Sequence, residues 1–130
     1  MRSPNSLDVS KVSLSIRNRT RRPIPRVKFE QMAEHVLSPS YEISLVLCGN
    51  ALMRRLNRTY RGKDRPTNVL AFPLEKNSGE IFINLSYLKN FSVPHLFIHA
   101  LLHLKGMEHS DTMEKTEQKI LHGASNRSGY

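Results

Sequence analysis

Three histidines fall within eleven residues, in the stretch His99-Ala-Leu-Leu-His103-Leu-Lys-Gly-Met-Glu-His109. His99 and His103 stand four apart in a helix-forming segment, so both side chains leave one face about a turn apart. Gly106 gives that helix a place to stop, and the reversing chain can return His109 toward the same point. Two imidazoles from a helix and one from the following turn make an open three-nitrogen site with a fourth position for water. That is the arrangement of a zinc poised for hydrolysis rather than one that closes a fold. Ala100 occupies the place where the His-Glu-x-x-His metalloproteases carry their general base, so a peptidase of that type is disfavoured. The nearby carboxylate is Glu108, which can orient an imidazole or accept a proton. His35, His95 and His122 lie outside this spacing and read as surface residues.

The elements that must position these groups follow from periodicity. Val12, Leu14 and Ile16 alternate with polar residues as in a half-buried strand. Pro23 and Pro25 then predict a helix over roughly 25–37, with Val27, Met32, Val36 and Leu37 inward. Tyr41, Ile43, Leu45 and Leu47 predict a second strand. Asn50 is the expected cap of a helix over about 51–60, with Leu52, Leu56 and Tyr60 on one face. Arg61 to Pro66 is a charged connection, and Asn68 to Glu75 reads as a third strand that Pro73 sends to an edge or an end. A turn at 76–79 leads into a fourth strand over 80–84, and a short helical piece is expected at 85–91. Pro94 opens the histidine helix, and Asp111 to Glu114 has the capping-box spacing of a last helix reaching about Leu121. The order β-α-β-α-β-β-α-α predicts an α+β fold, a small mixed sheet of about four strands with helices packed on it. A single domain over 11–122 is expected, with a flexible N-terminus at 1–10 and a flexible tail at 123–130.

Composition narrows the partners. With 130 residues and 38% of them hydrophobic, the chain is globular, and no run approaches the roughly 18 apolar residues of a membrane span. Cys48 is alone and the first residues lack the apolar core of a secretory signal, so the cytoplasm is the expected compartment. Cys48 itself reads as a small buried hydrophobe. Twenty Lys and Arg against eleven acids give a charge of +9, which favours polyanions. Seven of those cations lie between Lys11 and Lys28, and six between Arg54 and Arg65, opposed there only by Asp64. The aromatic residues are dispersed, so no stacking platform is read and backbone electrostatics is the expected mode of RNA contact.

The histidine stretch resembles the His-Gly-x-Leu-His-Leu-x-Gly-Tyr-Asp-His signature of the YbeY family of single-strand-specific endoribonucleases. The run from Leu56 to Glu75 is similar to that family's Leu-Asn-x-x-Tyr-Arg-x-Lys-Asp-x-Pro-Thr-Asp-Val-Leu-Ser-Phe-Pro block, and Gly79-Glu80-Ile81 to its Gly-Asp-Ile/Leu. The resemblance implies one Zn2+ on His99, His103 and His109, and a functional arginine at Arg61. It also implies a role in 16S rRNA maturation and ribosome quality control, with single-stranded rRNA and small-subunit ribosomal proteins as partners. Arg58, Lys63 and Arg65 are the expected contacts to the RNA backbone, and Arg61 and Glu108 the expected catalytic side chains. Ala100 stands for a glycine, Met107-Glu108 for Tyr-Asp, and Glu80 for an aspartate. The competing readings are an rRNA-binding assembly factor with a structural zinc, and a metal-dependent hydrolase acting on something other than RNA.

Overall fold

The computed structural model describes residues 11–106. Its elements run β1 (Ser13–Asn18), α1 (Phe29–Val36), β2 (Glu42–Cys48), α2 (Asn50–Arg61), β3 (Val69–Glu75), β4 (Ser78–Asn84) and α3 (Val93–Leu104). The strands form one sheet in the order β1-β2-β4-β3. β1 and β4 each pair with β2 in parallel, and β3 runs antiparallel to β4. This is the α+β fold with a mixed four-stranded sheet that the periodicity predicts. The expected helix beyond Asp111 lies outside the described residues, as do both expected flexible ends.

The pleat sorts the core into two layers. Ile43, Leu45 and Leu47 of β2, with Ile81 and Ile83 of β4, face α1 and α3. Their neighbours Val46, Cys48 and Phe82 face the opposite way, where Leu52, Met53 and Leu56 of α2 cover them. A strand buried on both faces loses the polar alternation of a half-buried one, as expected for parallel neighbours. Phe29 meets Phe97 edge-on with ring centroids 4.9 Å apart, joining α1 to α3. Cys48 is buried and burial pushes its thiol up to about 11, so it behaves as the small hydrophobe expected of it.

Four local expectations need correction. The first helix begins at Phe29, not near Pro25: the Val27 N–H donates to the Pro25 carbonyl at 2.9 Å, a tight turn that holds the chain out of the helix. Asn50 is not the cap of α2; that position is Gly49, and the Asn50 Oδ1 instead accepts from Asn84 Nδ2 at 2.8 Å. Residues 85–91 are turns rather than a helix, because Lys89 and Asn90 take left-handed φ values of 55° and 67°. Tyr60 is exposed, and Met53 and Asn57 fill the inner face of α2 in its place. Pro73 does sit on the edge strand β3, beside a register shift between Pro73 and Glu75.

Candidate active site

The open edge of β3 is the floor of a cleft of about 430 Å³. Tyr60 and Arg61 from the last turn of α2 flank it on one side, and His99, Ala100 and His103 from α3 on the other. Thr67, Asn68 and the strand from Val69 to Phe72 complete its lining. An edge strand suits this role because it has room for a ligand where a further strand would otherwise pair.

α3 is built to hold its histidines still. Ser92 caps the helix by accepting from the His95 N–H at 3.2 Å, and Pro94 fits the first turn, where its missing N–H costs nothing. Leu96, Phe97, Ile98, Leu101, Leu102 and Leu104 are buried and leave His99 and His103 toward the cleft. The helix stops at Leu104, and Gly106 follows with a φ of 95° that glycine adopts freely. Gly79 fixes where that end can lie: a methyl there would come within 2.7 Å and 2.9 Å of the Leu104 Cδ atoms and 3.1 Å of the Tyr41 hydroxyl.

The two imidazoles converge. His99 Nε2 and His103 Nε2 are 3.0 Å apart, with ring centroids separated by 4.6 Å. Two nitrogens bound to one tetrahedral zinc at its usual bond length stand about 3.3 Å apart, so the pair fits two corners of such a site with little motion. Among the described residues no third His, Cys, Asp or Glu joins them. His109, the expected third ligand, and Glu108, the expected carboxylate, lie outside the described residues.

The basic loop after α2 is held by a short list of bonds. Gly62, in the left-handed region at φ 69°, ends α2 with its N–H on the Arg58 carbonyl. Asn57 is buried and its Nδ2 donates to the Arg65 carbonyl at 2.8 Å. Arg54 grips Asp64 with two bonds of 2.8 Å and 3.0 Å, and Arg58 reaches the same carboxylate at 3.4 Å. The Arg54 hydrogen bond, foremost among these contacts, holds the Asp64 carboxyl below its ordinary value. Of the expected RNA contacts, Arg58 therefore shares its charge with Asp64, whereas Lys63 and Arg65 line a second hollow of about 250 Å³ that also borders Arg61. Arg61 stands between the two cavities. Asn84 ties the cleft wall to the sheet: its Nδ2 donates to Asn50 Oδ1 at 2.8 Å and the Thr67 carbonyl at 3.1 Å, and its Oδ1 accepts from the Ser86 N–H at 2.9 Å.

The profile of the family described as endoribonuclease YbeY matches residues 13–126. The chain belongs to that family. Membership places it among RNA endonucleases, hydrolases of the phosphodiester bond. The endoribonuclease YbeY of Ehrlichia canis is 43% identical, over 61% of this chain and 64% of that protein. Those of Ehrlichia ruminantium (strain Gardel) and Persephonella marina are 38% and 34% identical, each over 68% of this chain and 69% of the relative. The matches thus span about two thirds of these YbeY relatives. A solution structure from Thermotoga maritima shares the fold at 21% identity, with a TM-score of 0.57 over 89% of this chain and 90% of that one.

Sequence reasoning missed three contributors to the site. Asn57 and Asn84 sit in the Leu56–Glu75 block and at the end of β4, and their types in apolar surroundings were the available signal. Tyr60 shares a face with Leu52 and Leu56 in the sequence, which gives no sign that α2 reaches the edge strand there and brings the ring into the cleft lining.

Proposed function

We propose that this chain is a zinc-dependent, single-strand-specific endoribonuclease acting in the cytoplasm on 16S rRNA, in its maturation and in ribosome quality control. One observation carries this reading: His99, His103 and Arg61 line a single cleft in a member of an RNA endonuclease family. His99 and His103, joined by His109, are the proposed zinc ligands. When bound, the metal supplies Lewis-acid charge and makes water a nucleophile near neutral pH. Uncharged imidazoles leave that charge intact, which carboxylate ligands would not.

The chain's own groups do the rest. Attack on phosphorus places extra negative charge on the non-bridging oxygens, and the Arg61 guanidinium is a fixed cation beside that position. Glu108 takes the proton of the attacking water as its oxygen bonds to phosphorus; the bond to the leaving ribose oxygen breaks, and that oxygen takes a proton from solvent. Lys63 and Arg65 hold the neighbouring phosphates and orient the strand without reading bases, and Arg58, which Asp64 engages, is a weaker contact beside them. The same basic surface meets rRNA beside small-subunit ribosomal proteins.

The test is cleavage by nuclease-free protein on single- and double-stranded RNA, with His103→Ala and Arg61→Glu as controls. We expect cutting of single strands only, with activity at least 100-fold lower in both variants. Metal content by mass spectrometry should drop in His103→Ala and stay at one per chain in Arg61→Glu. Undiminished cleavage by either variant would remove that residue from the mechanism. A 5′-phosphate on the product agrees with attack by water, whereas a 2′,3′-cyclic phosphate would make the ribose hydroxyl the nucleophile.

A further inference from the structure

Tyr60 has no part in the chemistry above, yet it stands inside the same cleft. The residue is 65% exposed although it belongs to a helix whose apolar residues Leu52, Met53 and Leu56 pack on the sheet. It is not loose: its centroid lies 5.2 Å from that of Phe72 on the edge strand, tilted by 60°. Phe72 in turn meets the buried Phe82 edge-on at 5.8 Å. Three rings thus run from the core beneath α2 out to the cleft, and the outermost is mostly uncovered. Tyr60 and Phe72 both line the cavity that holds His99, His103 and Arg61.

An exposed aromatic anchored from behind is a surface of low entropic cost for another flat ring. Its place in the cleft decides which ring: Tyr60 and Arg61 line the same cavity, so a phosphodiester held at the guanidinium brings its own ribose and base within reach of the Tyr60 ring. The surrounding cations, from Arg54 to Arg65, are opposed by Asp64 alone and suit a polyanion rather than an apolar protein segment. In a duplex each base has both faces covered by its stacked neighbours, whereas an unpaired base can turn out and offer one.

We infer that Tyr60, backed by Phe72, is a stacking platform for an unpaired nucleobase next to the cleaved phosphate, and that this contact selects single strands. The inference rests on the endoribonuclease reading and adds the specificity device to it. The platform accepts any base, because every base has a π-face.

The chain contains no tryptophan, so Tyr60→Trp provides a clean fluorescent reporter at this position. Binding is measured for the wild type and for Tyr60→Ala, Tyr60→Phe and Tyr60→Trp. The probes are a short oligoadenylate and an abasic ribose-phosphate strand of equal length. We expect Tyr60→Ala to weaken oligoadenylate binding by about 5- to 150-fold, the range of one stacked base, and to leave the abasic strand unaffected. Tyr60→Phe should bind as the wild type does, and Tyr60→Trp fluorescence should be quenched by oligoadenylate but not by the abasic strand. Equal losses on both strands would reduce Tyr60 to a structural residue and overturn the platform, as would no loss on either. If the wild type binds both strands equally and Arg61→Glu abolishes that binding, the platform falls while the nuclease reading stands. If the wild type binds neither, both fall together.

Discussion

At the scale of single residues, the site depends on where charge is allowed. His99 and His103 bring their Nε2 atoms within 3.0 Å because Leu96, Phe97, Ile98, Leu101, Leu102 and Leu104 take the buried faces of α3 and leave these two toward the cleft. Cys48 shows the opposite case, a titratable group kept neutral by its surroundings. Burial raises its thiol to about 11, and the positive charge of Arg19 only partly offsets that. The sign of the consequence is fixed by linkage: the folded state keeps a proton that the unfolded chain gives up. The stability this confers is complete below about pH 9 and is lost as pH rises toward 11. Denaturant melts of the wild type and Cys48→Ala at stepped pH should therefore converge over that interval. Parallel curves would mean that the thiol titrates alike in both states.

At the scale of elements, most of the fold was legible because its signals are local. Alternation at Tyr41, Ile43, Leu45 and Leu47 names a strand, and Pro73 names an edge. What could not be read was the destination of a stripe. Nothing in the spacing of Leu52, Leu56 and Tyr60 says that the last of them reaches the sheet's edge, since that depends on how α2 lies across β3 and β4. The turn at Lys89 and Asn90 was hidden for a similar reason, as left-handed backbone at a lysine is a tertiary outcome. For the proposed metal site, the histidine spacing and the helix stop before Gly106 were legible, whereas the requirement for glycine at 79 was not. That glycine, read as a family motif, is a packing constraint between β4 and the end of α3. We expect Gly79→Ala to cost about 1–3 kcal/mol, as overpacking usually does, and to weaken metal binding by displacing the turn that carries His103. Truncating the opposing side chain should relieve it, so Gly79→Ala with Leu104→Ala will be less destabilised than the sum of the single changes. Strict additivity in that double-mutant cycle would show that the two positions do not press on each other. The hydrogen bonds of Asn84 make a parallel case: Asn84→Ala strands the Thr67 carbonyl and the Ser86 N–H and should cost about 2–3 kcal/mol in thermal or denaturant melts.

At the scale of the whole molecule, the charge of +9 is useful only where it is left uncompensated. Among the described residues the loop after α2 shows this division clearly. Asp64 engages Arg54 and Arg58, whereas Lys63 and Arg65 border the hollow beside Arg61. Exposed pairs of this kind add little to stability, so their consequence is electrostatic: if this loop is the proposed RNA contact, Asp64 sets how many cations the strand meets. Each phosphate neutralised on a single strand contributes about −0.7 to the slope of log affinity against log salt. If Arg61, Lys63 and Arg65 each engage one, the wild type should show a slope near −2. Lys63→Glu with Arg65→Glu should bring it to about −0.7 while melting as the wild type does, because neither side chain supports the core. Asp64→Asn acts in the other direction, freeing Arg54 and Arg58 and steepening the slope beyond that of the wild type. A slope near zero in the wild type, or one indifferent to Asp64, would mean that this loop is a solvated surface and that RNA is held elsewhere.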